Sequence, residues 1–345
     1  MLKLIYIVFQ ETLYTICSHF SRGIEMFEEF FSKKKETVDA RDAIVVSGLG
    51  SYSIKDTLEC GQCFRYELIT EREGYIEYMT VVRDKIITVG QKTAGELIFY
   101  DIDEETFDTV VRPYFTLDTD YEKIHREITS GTSSEWLIRA AECAKGIAIL
   151  KQDPWETLFS FIISQNNNIP RIRKIIREIC AAYGVNIALQ NGAKKCPLNK
   201  IPCTPCEEKC KNCGICYTFP SAEDIIKNPE KMLPSHPGFR YRYLCDAASK
   251  VHSGDVNLDM IAAARSYTHT VERLCEIVGV GKKVAACTAL FGFGNLEAFP
   301  IDVWMKRAID EYFDGKLDPA TLGRYAGVAQ QYIFHYIRNL ENSDM

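Results

Sequence analysis

The segment Leu274-Cys-Glu-Ile-Val-Gly-Val-Gly-Lys-Lys-Val-Ala-Ala-Cys287 joins two helical patterns through Gly279-Val280-Gly281. Two glycines one residue apart allow a tight turn whose bare backbone can approach another surface, and the amides opening the second helix then suit a phosphate. By itself Gly-x-Gly marks only a helix–turn–helix corner. Lys282 and Lys283 add chemistry, because a cation at a helix N-terminus opposes the macrodipole. That position disfavours the ammonium form, as a lysine that attacks as a neutral amine requires. Whichever of the two faces inward is the candidate nucleophile. The apolar stripe Val284, Ala285 and Cys287 goes with Lys283, and Cys287 lies one turn beyond it. Further on, Asp302 precedes the run Val303-Trp304-Met305. Its default role is helix N-cap, and a capping carboxylate stays ionised, as needed beside a sugar acquiring oxocarbenium character.

A second group of reactive residues is a run of thiols. The chain has 14 cysteines, crowded most densely in Cys203-x2-Cys206-x3-Cys210-x2-Cys213-x2-Cys216, with Cys196 upstream. At this length and without a leader pattern, clustered thiols point to a reducing compartment and to metal rather than disulfides. Cys-x2-Cys pairs grip tetrahedral zinc, although the spacer between pairs is short for a zinc ribbon. The Cys210-x2-Cys213-x2-Cys216 run also fits one side of an iron–sulfur ligand set. Structural zinc, an iron–sulfur cluster and no metal all stay open, and catalysis itself calls for no cofactor.

These groups need a scaffold, and the 345 residues, 46% apolar and 26% charged, are those of an ordinary globular chain. The apolar stretch Leu2–Phe9 is far shorter than the ~20 residues of a membrane span and lacks a signal cleavage site, so the expectation is a cytoplasmic monomer with no membrane partner. A net charge of −6 counts mildly against nucleic acid, yet Arg171, Arg173, Lys174 and Arg177 form a local basic run. Residues 1–41 read as an N-terminal extension. From Asp42 to 128 the pattern is an antiparallel meander, with strands at Phe64–Thr70, Tyr75–Val82 and Ile86–Val89. Residues 129–345 read as helical. Asp153-Pro154 with Glu156 is read as a capping box, Asn168 with Pro170 opens a second helix that Gly184 closes, and the cysteine-rich insert occupies about 194–217. The fold class is therefore α+β: an antiparallel sheet domain followed by an all-α domain.

The pattern Gly279-Val-Gly-Lys-Lys-Val-Ala with Pro300-Ile-Asp302-Val resembles the helix-hairpin-helix, Gly-Pro-Asp DNA glycosylases, and the hairpin lysine resembles their bifunctional branch. Four more segments are similar to the eukaryotic-type and clostridial 8-oxoguanine DNA glycosylases: Gly61-Gln-Cys-Phe-Arg65, Gln152 through Arg171, Gly238-Phe-Arg-Tyr-Arg-Tyr243, and Tyr325 through Phe334. The resemblance implies Lys283 as the nucleophile on C1′ and Asp302 as its supporting carboxylate. Gly61 would receive N7–H of the lesion, Cys287 and Phe334 would sandwich the flipped base, and Gln330 would bond its Watson–Crick edge. Asn166, Arg171 and Arg240 would hold the orphaned cytosine, Phe239 would wedge the stack, and Gly279 and Gly281 would meet the backbone. The implied partner is double-stranded DNA with 8-oxoguanine opposite cytosine. Taken singly, Phe334 reads as core and Asn166–Asn168 as a turn. Trp304 departs from the family, whose eukaryotic members carry a histidine there. A monofunctional enzyme of the same fold would need only Asp302, and a non-catalytic hairpin module would need neither the lysine nor the Gly61, Gln330 and Phe334 pocket.

Overall fold

The computed structural model describes residues 31–187 and 216–343. Six antiparallel strands form one sheet: β1 (Ser32–Val38), β2 (Arg41–Ser47), β3 (Tyr66–Arg72), β4 (Tyr75–Val82), β5 (Lys85–Gln91) and β6 (Glu96–Tyr100), in the order β1-β2-β6-β5-β4-β3. Strand alternation sends Ile44, Val46, Tyr78, Ile87, Val89, Leu97 and Phe99 to one face. Across that face lies a helical stretch, 104–114, whose Phe107 ring meets Phe99 at 5.8 Å between centroids, with Phe115 at 5.3 Å.

The sheet starts ten residues earlier than the boundary drawn at Asp42, so the extension read as 1–41 ends in β1 and the start of β2. Asp39 and Ala40 both take left-handed backbone, φ 52° and 61°, the geometry of a two-residue hairpin turn that matches strand twist. The run Lys33-Lys34-Lys35 is what hid β1: exposed lysines on an edge strand discourage pairing with another chain. Strand β6 was also missed, because Leu97–Tyr100 is buried throughout and shows no polar alternation.

The helices are α1 (Ile54–Glu59), α2 (Tyr121–Ser130), α3 (Glu135–Cys143), α4 (Pro154–Ser164), α5 (Ile169–Tyr183), α6 (Ala222–Lys227), α7 (Tyr241–Ser253), α8 (Leu258–Ala264), α9 (Tyr267–Leu274), α10 (Lys282–Phe291), α11 (Val303–Tyr312) and α12 (Ala326–Ser343). Two form the centre: α4 is buried from Thr157 to Ile163 and α10 from Val284 to Phe291. A helix apolar all round belongs inside a protein. Phe161 and Phe291 stack between them at 5.5 Å.

The boundary at 128/129 does not separate two bodies. It falls within α2, whose Ile124 and Ile128 already pack in the helical core. Residues 147–150 then run extended along the seam, with Ile147 and Ile149 in the helical core and Ala148 and Leu150 in the sheet core. Asp153 caps α4 as expected, accepting from the Glu156 amide at 2.8 Å. Glu156 does not complete a capping box. Its Oε2 instead accepts from Arg65 Nη1 at 2.9 Å, a buried ion pair that ties the end of the Gly61–Arg65 loop to α4. Cutting one partner of such a pair typically costs about 3–5 kcal/mol, since the other charge is left stranded.

Candidate active site

A cavity of about 340 Å³ opens between the Gly61 loop and helices α4, α5, α10, α11 and α12. Gly281, exposed and with open space where a Cβ would stand, caps α10, so Lys282 and Lys283 occupy its first two positions. Lys282 is exposed and Lys283 half-buried, which settles the inward-facing residue as Lys283. Its Nζ donates to Ser164 Oγ at 3.3 Å and stands 5.3 Å from the Phe161 ring centroid. Asp302 lines the same cavity while its Oδ1 accepts from the Met305 amide at 2.9 Å, so the cap is real and the carboxylate still faces the site. Cys287 is 4% exposed; burial pushes its thiol up to about 11, against the opposing pull of the Lys283 ammonium. At neutral pH it is a thiol, a flat apolar wall rather than a competing nucleophile.

The opposite wall comes from the sheet domain. Gly61 holds φ +87°, which β-carbon residues avoid, and a Cβ there would sit 3.6 Å from both Ile169 Cδ1 and Phe334 Cε1. The next residue fixes the loop. Gln62 is fully buried; its Nε2 donates to the carbonyls of Thr57 and Ala148 at 2.8 Å, its Oε1 accepts from Leu150 N at 2.8 Å, and its own carbonyl accepts from Gln152 Nε2 at 2.7 Å. Helix α12 supplies Gln330, Phe334 and two residues the sequence reading did not single out, Gln331 and Arg338. Gln330, Phe334 and Arg338 recur every 4 residues and Gln331 lies 3 before Phe334, which puts all four on one helical face, a signal that was available. Gln331 Nε2 donates to Gln330 Oε1 at 2.7 Å, which fixes the rotation of the Gln330 amide. Trp304 also lines the cavity, in the place where a histidine was the expected type.

The remaining candidates gather at the rim. Asn166 takes left-handed backbone, φ 49°, between α4 and α5, and is exposed, as is Arg171 in the first turn of α5. Phe239 is 48% exposed, with its edge toward Tyr243 at 5.9 Å. Gly279 sits against the same tyrosine: at φ +81° a Cβ would come within 2.3 Å of the Tyr243 ring. Asp246 Oδ2 accepts from the Val278 amide at 2.7 Å, and Lys250 Nζ bonds Asp246 Oδ2 at 3.0 Å, bracing the hairpin. Arg240 departs from expectation. It is 3% exposed, and its guanidinium donates to the carbonyls of Gln165 (Nε at 2.8 Å) and Asn166 (3.0 Å). Here its fork holds the Asn166 turn in shape instead of standing free for a base. Burial, with the neighbouring Arg171 charge, lowers its pKa.

Comparison with known proteins bears on this arrangement. The family model described as "8-oxoguanine DNA glycosylase, N-terminal domain" matches residues 45–158. The solved 8-oxoguanine glycosylase/lyase of Clostridium acetobutylicum, crystallised with dsDNA containing cytosine opposite 8-oxoG, is 30% identical; the match covers 91% of this chain and 99% of that one, with a TM-score of 0.74. The chain belongs to the 8-oxoguanine DNA glycosylase family. A second member, MBOgg1 in complex with a low affinity DNA ligand, is 32% identical over 90% of this chain and 99% of that one, with a TM-score of 0.73. The Saccharomyces cerevisiae N-glycosylase/DNA lyase is 25% identical over 273 residues, 74% of this chain and 66% of the yeast protein.

Cys203, Cys206, Cys210 and Cys213 lie outside the described residues. Cys216 is buried with Met79, Val81 and Ile187 against the sheet, and its carbonyl accepts from the Ile187 amide at 2.8 Å. No helix among the described residues is long and apolar enough to cross a membrane.

Proposed function

We propose that this chain is a bifunctional DNA glycosylase and AP lyase that removes 8-oxoguanine, and ring-opened formamidopyrimidine-guanine, from duplex DNA. The observation that carries the reading is the convergence of Lys283, Asp302, Gly61, Cys287, Gln330 and Phe334 on one cavity, from four separate segments. An aromatic ring and a flat thiol on facing walls suit a base extruded from the stack. Normal guanine carries a lone pair at N7 where the oxidised base carries a hydrogen, so a carbonyl acceptor at Gly61 would reject the normal base.

In the reaction, the neutral Lys283 amine bonds to C1′ as the C1′–N9 bond breaks, the base leaves with the electron pair, and the proton that the new ammonium gives up balances the one the base takes up. The Asp302 carboxylate stabilises the positive charge that develops on the sugar. Opening of the sugar ring gives an imine between Lys283 and C1′. Loss of a 2′ proton then expels the 3′ phosphate, and water releases the lysine. Borohydride added during turnover should reduce the imine and link protein to DNA. Lys283→Gln should abolish that link and keep duplex binding, whereas loss of the link in Lys282→Gln with retention in Lys283→Gln would refute the assignment.

A further inference from the structure

An oxidised guanine differs from guanine at two neighbouring positions: N7 has gained a hydrogen and C8 has gained a carbonyl oxygen. Gly61 accounts for the first difference and leaves the second without a partner. Arg338 lies on α12 one turn beyond Phe334, half-buried, and lines the lesion cavity. Its Nη1 stands 3.8 Å from the point where a Cβ on Gly61 would be, and its guanidinium carbon is 5.4 Å from the Phe334 ring centroid. It therefore occupies the corner between the base-stacking ring and the loop that receives N7–H. Among the described residues no carboxylate, carbonyl or hydroxyl accepts a hydrogen bond from it. A guanidinium carries five N–H donors in a rigid fork, and one set at the wall of a binding cavity with none of them spent is poised for an acceptor that arrives with the ligand.

We propose that Arg338 donates to O8 of the extruded base, so that Gly61 and Arg338 together read N7–H and C8=O as an acceptor–donor pair. The inference rests on the functional reading above and deepens it. Formamidopyrimidine-guanine keeps both groups, its formyl oxygen standing for O8, which explains how one pocket takes both lesions. Guanine fails twice, with a lone pair facing the Gly61 carbonyl and a C8–H facing the guanidinium.

The test compares single-turnover excision of 8-oxoguanine and 8-thioguanine from otherwise identical duplexes. The sulfur analogue keeps N7–H and replaces O8 by a weak acceptor. The wild type should prefer the oxygen lesion, and Arg338→Met should contract that preference by about tenfold or more, the effect of one hydrogen bond to a charged group. Arg338→Lys and Arg338→Gln, which keep a donor, should retain part of it. Equal slowing of both lesions in all three variants, with a shallower salt dependence of binding, would overturn the proposal and assign Arg338 to a DNA phosphate. An unchanged preference would overturn it too. Failure of the wild type to act on 8-oxoguanine at all would instead remove the functional reading, so the two failures are distinct.

Discussion

The cap that Asp302 forms and the electrostatic role proposed for it can be separated by one pair of substitutions. Its Oδ1 accepts from Met305 N at 2.9 Å as the cap of α11, and its charge faces the cavity. Asn caps a helix about as well as Asp, so Asp302→Asn should keep the hydrogen bond and leave stability nearly unchanged. Asp302→Ala should lose the cap, at about 1 kcal/mol. For a unit of about 300 residues that unfolds in one step, that lowers the unfolding midpoint by roughly 1–2 °C. The catalytic loss should be nearly the same in both variants. A carboxylate about 4 Å from a unit positive charge contributes on the order of 4 kcal/mol at an effective dielectric near 20, suited to a half-buried group. The transition state carries only part of that charge, and tenfold in rate corresponds to about 1.4 kcal/mol, so a fall of roughly 10²- to 10³-fold is expected. Thermal unfolding measures the first effect and single-turnover excision on an 8-oxoguanine duplex the second. Asp302→Asn within about threefold of the wild-type rate would refute the electrostatic role, since an effect that small needs well under 1 kcal/mol.

The two hairpin glycines should respond differently. Gly279→Ala forces a Cβ into the Tyr243 ring at positive φ and should lower both stability and duplex affinity, whereas Gly281→Ala, at an open position, should lower affinity alone; equal unfolding midpoints for the two variants would contradict this. Arg171→Ala should weaken the preference for cytosine opposite the lesion, read as excision rates against all four bases, while Arg240→Ala should act indirectly, by destabilising the Asn166 turn; equal wild-type rates against all four would remove the role of Arg171. The cysteine run is expected to hold a structural metal, zinc ahead of an iron–sulfur cluster. Metal analysis of untagged protein should find about one zinc per chain, and Cys206→Ser or Cys213→Ser should weaken duplex binding more than chemistry. Sub-stoichiometric metal or unchanged affinity would count against it.

Much of the helical half was legible because its ends are chemically marked. Asp153, Asn168 and Asp302 all cap the helices they were expected to open, each by accepting from a backbone amide three residues on. The choice between Lys282 and Lys283 was legible too, from the stripe that follows them. What the sequence obscured has physical causes. Edge strand β1 is charged because an edge must be, and so it read as an extension. Gln62 and Arg65 looked like motif residues, yet their roles depend on partners some 90 positions away, Ala148, Leu150 and Glu156, which no local pattern discloses. Arg240 was placed at the orphaned cytosine by its match to the family's motif, and the competing acceptors, two carbonyls in a turn 74 and 75 residues earlier, are likewise invisible to a linear reading. Arg338 could have been found by extending the Gln330 and Phe334 spacing one more turn.

The seam at residues 147–150 bears on how such an enzyme fails. Its side chains alternate between the two cores, and Gln62 is bonded to it at Ala148 and Leu150 on behalf of the loop that carries Gly61. Neither core can open along this segment without uncovering the other, so heat should dismantle both in a single cooperative transition. The wall proposed to discriminate and the helix proposed to carry the nucleophile then disappear together. A glycosylase whose selective wall loosened first would attack undamaged guanine, whereas one built around a shared segment should lose selection and cutting together.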